Sequence, residues 1–257
     1  MALSDERARL IGRLRQRKTR EREGLLLVEG IRAAGEALAA SARTKFAVVS
    51  PRLDELAGGP ALRERLRGSG IEVVEADDGE LGAVADTAAH QGVLLVCPEP
   101  PVALAMPATG PLLVLDGIQD PGNVGTLIRA AAAFGAREVI ALDGTVDPYN
   151  AKAVRAAAGA IFAVGVRRSR WSEVAVELGA RGPLVVADMG GEDVGTVRVP
   201  ATWSLVVGGE GAGVRPEVHA AAARVVSIPM PGGVESLNAG VAGSILLYIL
   251  TREDRGG

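Results

Sequence analysis

Cysteine is almost missing from this 257-residue chain, which has one, Cys97. A single thiol closes no disulfide within the chain and builds no cysteine metal cage. Histidine is nearly as scarce: His90 and His219 lie far apart and have no ligand spacing. Aromatic residues make up 3% of the chain, which argues against a base-stacking surface of the kind many single-strand binders use. No apolar run reaches the ~18 residues that a membrane span needs. The longest, Val241 to Leu250, is interrupted by Gly243 and Ser244 and reads as a packed helix. The N-terminal stretch is charged and carries no apolar signal core. Together these absences predict a soluble, cytoplasmic α/β protein that uses no metal.

Hydrophobic residues are 48% and charged residues 23%, the balance of a globular chain able to bury its own core. The formal net charge of −3 excludes a protein that is basic all over, but not a local basic patch. Residues 1–23 form such a patch. Arg7, Arg9, Arg13, Arg15, Arg17, Lys18, Arg20 and Arg22 outweigh Asp5, Glu6, Glu21 and Glu23, for a net of +4. This pattern fits either a solvated helix with internal ion pairs or a surface for a polyanion.

Hydrophobic patterning divides the chain in two. Strands are predicted at 25–28, 46–49, 71–74 and 93–96, with helices at 31–40, 61–67 and 77–84, which makes a small α/β domain over 1–97. Pro98, Pro100, Pro101, Pro107 and Pro111 then cluster, and 98–110 is predicted as a linker. From 111 to 257 the alternation restarts. Strands are predicted at 112–115, 138–142, 161–166, 184–187, 204–207 and 225–228. Helices are predicted at 123–134, 150–158, 172–178, 215–222 and 237–250. Such alternation implies crossover units and a mostly parallel sheet covered on both faces. In the last helix Leu237, Val241, Ile245 and Tyr248 fall on one face at helical spacing.

Ligands of open parallel sheets collect beyond the carboxyl ends of the strands. Three loops there are rich in glycine and polar residues. The first, Asp116 to Gly125, contains Pro121-Gly122 as a turn and Asn123 as an N-cap. Arg129 follows six residues later, ~600° around a helix, so the two side chains do not share a face. The second loop, Gly208-Gly209-Glu210-Gly211-Ala212-Gly213, lacks the Gly-Lys-Ser/Thr ending of a phosphate loop and the dinucleotide fingerprint. Its glycines let backbone amides approach a ligand closely. The third loop, Pro229 to Asn238, runs into the last helix, where Ser236 or Asn238 can serve as cap.

Taken in order, Asp-Pro-Gly-Asn-Val-Gly-Thr-Leu-Ile-Arg (120–129), Val-Gly-Gly-Glu-Gly-Ala-Gly-Val (207–214) and Ile-Pro-Met-Pro-Gly-Gly-Val-Glu-Ser-Leu-Asn (228–238) form a pattern. It resembles that of the SpoU (TrmH-type) RNA ribose 2′-O-methyltransferases of the SPOUT superfamily. Residues 18–30 and His90-Gln91-Gly92-Val93 resemble the substrate-binding domain often fused to that family. The sequence departs from the family pattern at Gly209, where asparagine or serine is common, and at Ala157, where serine is common.

The resemblance implies a deep trefoil knot in the C-terminal domain, a homodimer, and S-adenosyl-L-methionine as cofactor. It implies that the cofactor is held around Gly208, Ile228 and Leu237, with Gly209, Gly213 and Met230 beside them. The catalytic group implied is Asn123, Arg129, Glu210, Ser236 and Asn238, acting on a ribose hydroxyl of RNA. Ribosomal RNA is the favoured substrate class; the alternatives are the same chemistry on transfer RNA, or a non-catalytic RNA-binding module. Arg13, Arg15, Arg17, Lys18, Arg20 and Arg22 become candidates for phosphate contact, which gives affinity without sequence choice. Charge reversal at Arg17 and Lys18 is therefore expected to weaken RNA binding and flatten its dependence on salt. Wild-type affinity and salt slope in a titration would leave the patch a solvated face.

Overall fold

The computed structural model describes residues 3–87, 89–101 and 109–253, so most of the expected linker at 98–110 lies outside the described residues. The chain divides into two compact units, 1–100 with 149–163, and 101–148 with 164–257.

In the first unit, α1 (Asp5–Leu14) and α2 (Arg17–Glu23) are followed by β1 (Leu25–Glu29), α3 (Ile31–Ala39) and β2 (Phe46–Val49). Then come α4 (Arg52–Glu55), α5 (Gly59–Gly68), β3 (Val73–Glu75), α6 (Asp78–Val84) and β4 (Val93–Pro98). The sheet order is β1-β4-β2-β3, antiparallel except for the β2–β3 pair. Local chemistry sets the breaks. Gly24 ends α2 in a left-handed conformation, and Asp77 with Glu80 forms a reciprocal capping box at the start of α6. Ile11 and Leu14 bury fully against Leu25, Leu27, Phe46, Val48 and Leu94. Removing these side chains from water drives the packing.

Arg20 corrects one expectation from the sequence. It is 3% exposed, and its guanidinium donates to the carbonyls of Leu14 (2.8 Å) and Arg15 (2.7 Å). It therefore satisfies the open carboxyl end of α1 and does not face solvent.

The second unit begins with β5 (Gly110–Asp116), α7 (Pro121–Ala133) and β6 (Glu138–Leu142). The chain then enters α8 (Ala151–Ala157), which belongs to the first unit and packs beside β1. The periodicity of 150–158 predicts this helix, but not that it joins the first unit. Gly159, at φ +84°, explains the close fit: an added Cβ would lie 2.0 Å from Cβ of Glu36. The second unit resumes with β7 (Gly165–Ser169), α9 (Trp171–Arg181), β8 (Leu184–Asp193) and β9 (Thr202–Gly208). It closes with α10 (Pro216–His219), β10 (Arg224–Ser227) and α11 (Ala239–Glu253).

Its sheet has the order β10-β8-β9-β5-β6-β7, with every neighbouring pair parallel. Leu112, Val114, Ile140, Val186 and Val206 bury against Val174, Leu178 and Val218. α7 and α11 pack together, and Gly243 lets α11 close in, since its Cβ would lie 2.5 Å from Leu127 and 2.9 Å from Val207. The buried face of α11 is Leu246, Leu247 and Leu250. Val241 and Tyr248, expected on the core face, are 46% and 42% exposed. The closest approach of the helix is set by glycine rather than by the largest apolar side chains.

Glu138 is a buried carboxylate at the start of β6, paired at 2.6 Å with Arg167, which also holds Glu177 at 3.0 Å. Burial pushes its carboxyl above the usual range, and Arg167 only partly offsets this. The folded state thus favours the protonated form. The ionisation cost is absent below the ordinary carboxylate pKa and complete above the raised one. In Glu138→Gln, the stability difference from wild type is expected to move in the variant's favour as the pH rises from the ordinary carboxylate pKa, about 4, through the raised one. Urea denaturation across that range checks the slope; a difference that does not vary with pH contradicts it.

Candidate active site

The carboxyl ends of β9 and β10 and the middle of β8 open on one cleft of about 390 Å³, the size of a small-ligand site. Gly208, Gly209, Gly213, Ile228, Met230 and Leu237 all line it. The sequence therefore places the two later loops correctly, although 15 or more residues separate Gly213 from Ile228 and Leu237. Asp188 and Met189 line it too and were missed. The apolar run 184–187 reads as a complete strand, whereas β8 continues to Asp193. A polar and glycine-rich stretch directly after that run was the available signal.

Glycine is required in the wall by close backbone approach. A Cβ on Gly208 would lie 2.3 Å from the backbone of Gly213, and one on Gly209 would lie 2.4 Å from the carbonyl oxygen of Gly117. The departure from asparagine or serine at position 209 thus matches a site with no room for a side chain.

Asp116 fastens both ends of this loop. Gly208 is its register partner across β5 and β9, and the next amide, Gly209, donates to its carbonyl at 3.0 Å. At the exit, the Arg215 amide donates to one carboxylate oxygen at 2.8 Å, and Arg215 Nε donates to the other at 2.7 Å. Gly213 closes the loop internally by donating to the Gly209 carbonyl at 2.9 Å. The guanidinium also reaches the carboxylate of Asp143 at 3.2 Å and its carbonyl. Burial works against the Arg215 charge, but Asp116 and Asp143 outweigh it and hold the guanidinium firmly protonated.

The loop presents Glu210, whose carboxylate accepts from the Asn123 side-chain amide. Asn123 is not the N-cap expected from sequence. Asp120 is, accepting from the Asn123 backbone N–H at 3.0 Å, with Pro121 inside the first turn. Proline has no N–H to satisfy and a suitable φ, so it starts the helix earlier than the apolar pattern does. That frees the Asn123 side chain for Glu210. Of the two cap candidates for α11, Asn238 serves: its side-chain oxygen accepts from Val241 N–H at 3.2 Å. Gly240 lies between the asparagines, its Cβ position 3.1 Å from each side-chain oxygen. Ser236 is exposed. Arg129 is exposed on α7, has no hydrogen bond or ion pair among the described residues, and does not line the cleft.

In the first unit Arg13, Arg15, Arg17, Lys18 and Arg22 are exposed. Arg17 pairs with Glu21 at 2.7 Å and Arg22 with Glu23 at 2.8 Å, while Arg15 donates to the Ala85 carbonyl. Exposed pairs of this kind contribute little and leave the cations available. No group of three or more metal-ligating side chains occurs among the described residues. Among the described residues, no helix is long and apolar enough to cross a membrane.

Residues 110–248 match the SpoU rRNA Methylase family, and residues 5–95 match the MRM3-like substrate binding domain. The chain is 33% identical to the 23S rRNA (guanosine(2553)-2'-O)-methyltransferase RlmP of Bacillus subtilis, over 93% of each chain. It is 34% identical to the 23S rRNA (guanosine-2'-O-)-methyltransferase RlmB of Ralstonia nicotianae, over 72% of this chain and 78% of that one. Among solved structures, the SpoU methyltransferase AviRb of Streptomyces viridochromogenes in complex with AdoMet superposes with a TM-score of 0.86 at 28% identity. That match covers 99% of this chain and 100% of AviRb. The AdoMet-bound rRNA methyltransferase of Sinorhizobium meliloti superposes with a TM-score of 0.82 at 26% identity, covering 98% of this chain and 96% of that one.

Asp116→Ala removes the partner of a buried ion pair and is expected to cost roughly 3 kcal/mol. Arg215→Ala is expected to cost at least as much, because it leaves the buried Asp116 carboxylate with only the backbone N–H of residue 215 as partner, whereas the part-exposed Arg215 keeps Asp143 when Asp116 is removed. Urea denaturation reads the loss, and amide exchange at Gly209 and Gly213 should accelerate. A change under about 0.5 kcal/mol for Asp116→Ala would mean that the tie does not hold the loop.

Proposed function

Since the chain belongs to the SpoU rRNA methylase family, we propose that it moves a methyl group from S-adenosyl-L-methionine to a ribose 2′-hydroxyl of ribosomal RNA. The observation that carries this reading is the cleft, where all six residues expected to hold the cofactor stand together beside the Asn123–Glu210 pair. The residues fit the group: glycine at 208 and 209 lets the loop fold closely on the backbone of Gly213 and Gly117, so that main chain and small residues line the cleft. Met230, Leu237 and Ile228 give the same cleft apolar walls. The relatives' names specify 23S rRNA and 2′-O-methylation, and two structural neighbours were solved with AdoMet bound, which favours this cofactor and substrate class.

When bound, S-adenosyl-L-methionine supplies an electrophilic methyl group on a sulfonium, and its leaving group is neutral. The chain's own residues must then bring a weak nucleophile into line and polarise it. Glu210 holds Asn123 at the cleft, so that the asparagine orders the incoming ribose. Asn238 fixes the entry of α11 and keeps Leu237 in the wall, with the exposed Ser236 beside it in the chain. Arg129 acts as an orienting donor, because a guanidinium offers five N–H donors in a fixed fork and no acceptor. Fixed by a neighbouring RNA phosphate, it would orient the ribose hydroxyl, whose proton passes to solvent water when the methyl group is transferred.

Arg129 lies outside its own chain's cleft, and this favours a homodimer in which each copy lends the residue to the other. Val241 and Tyr248 leave an exposed apolar strip on α11, with Tyr248 against Phe134 at 5.3 Å, in keeping with such an assembly. The trefoil knot belongs to the same proposal, as the way in which the loops after β9 and β10 come to share one cleft. The exposed cations of α1 and α2 contact RNA phosphates, and a ribosomal substrate puts the work in the cytoplasm.

Transfer of labelled methyl groups to ribosomal and transfer RNA, with 2′-O-methyl mapping in cells with and without the gene, tests the activity. Arg129→Ala is expected to bind S-adenosyl-L-methionine normally by calorimetry. Its methyl transfer should fall at least ~100-fold, about 2.7 kcal/mol of barrier. Near-normal turnover would remove Arg129 from the mechanism.

A further inference from the structure

A second cavity, of about 260 Å³, lies entirely in the first unit and plays no part in methyl transfer. It holds several times the volume of a water molecule and approaches the size of small-ligand sites, which start near ~300 Å³. Its charged walls come from three separated stretches of chain. Glu29 ends β1, Arg32 stands in the first turn of α3, Gln91 precedes β4, and Arg155 reaches in from α8.

Glu29 is 6% exposed. One carboxylate oxygen accepts from the Asp86 amide at 2.8 Å and the other from Arg155 at 3.1 Å. A carboxylate offers about four acceptor positions, so these two bonds leave acceptor capacity at the cavity wall. Arg155 is held on its far side by Asp86 at 2.9 Å, which fixes the carboxylate in place. The Gln91 side-chain oxygen is occupied by the Ile31 amide at 2.8 Å, so its NH₂ is left to donate. Arg32 is exposed at the mouth and has no ion pair among the described residues. Leu81 and Leu94 add aliphatic wall. His90 is spent on structure, with one ring nitrogen accepting from Gly92 N–H and the other bonded to the Asp78 carbonyl.

The inventory is an acceptor on a buried carboxylate, an amide donor, an aliphatic slot and a cation at the rim. It suits a planar base with a donor edge, carried on a phosphate. The basic stretch adjoins it, because Arg15 donates to the carbonyl of Ala85, a wall residue. We propose that this cavity receives one unstacked nucleotide of the RNA, with guanine the favoured base. The N1–H and N2–H edge of guanine matches a carboxylate, and its O6 matches the Gln91 amide. The proposal rests on RNA being the substrate. It assigns to the first unit what the arginines alone cannot provide, since phosphate contacts position an RNA while contacts to splayed bases select it. It also needs no aromatic stack, which this chain scarcely has.

The test titrates the full chain with GMP, UMP and inorganic phosphate, followed by NMR. GMP is expected to give saturable shifts at Arg32, Gln91 and Leu81, with weaker effects from UMP and phosphate. Ala89→Trp fills the mouth from an exposed position and should abolish the GMP shifts. On RNA it should raise KM roughly tenfold with kcat and S-adenosyl-L-methionine affinity unchanged. Arg32→Glu, at another exposed position, gives the same KM effect should Ala89→Trp fail to fold. The proposal is overturned if GMP gives no saturable shifts, if they survive Ala89→Trp, or if the folded variants methylate RNA with wild-type KM. If GMP binds here but no RNA is methylated, the methyl-transfer reading falls and the nucleotide site stands.

Discussion

One buried carboxylate organises the second unit. Asp116 sits at the end of β5 with almost no exposure, where an unpaired charge would be costly. Arg215 supplies two donors from one residue, its backbone N–H and its Nε, so that satisfying the charge also fixes the course of the chain at that point. The other end of the loop is tied to the Asp116 main chain. Residues 209–213 thus form a closed ring, and Glu210 has few directions in which to present its carboxylate. The position of the catalytic candidate is a by-product of satisfying a buried charge.

Small size complements that tie. Gly208 and Gly209 let the loop lie directly on the backbone of Gly213 and Gly117, and Gly243 lets α11 lie on Leu127 and Val207. Glycine lowers the local propensity for helix or strand, yet here it brings main chain to the edge of a cleft. A cofactor read through main-chain groups needs that arrangement, because side chains would fill the space first.

Arginine is used in contrasting ways. Arg20 is turned inward to finish a helix, Arg155 locks Glu29, and Arg215 restrains a loop, while Arg13, Arg17 and Lys18 stand in solvent. The first three are structural because their charges are matched by fixed carbonyls or carboxylates. The last three stay on the surface, where an exposed pair such as Arg17 with Glu21 contributes little. Sequence spacing cannot separate the two groups, since a run of alternating charges looks the same whichever side chain bends inward.

The alternation of strands and helices, the parallel sheet and the three polar loops were legible because they depend on local hydrophobic periodicity and on turn chemistry. The six cleft residues were legible for a different reason, the order of three motifs that resembles a known family. What the sequence did not disclose involves contacts between distant residues. Asp120 rather than Asn123 caps α7, freeing Asn123 for a partner 87 positions away. The helix at 151–157 joins the first unit, β8 runs on past its apolar half to add Asp188 to the cleft, and Val241 and Tyr248 face outward. Local patterning determines which segments become strands and helices, because backbone propensity and side-chain alternation act over a few residues. Tertiary structure alone decided which polar groups meet, because burial leaves each of them to find whatever partner the packed chain brings within hydrogen-bond reach.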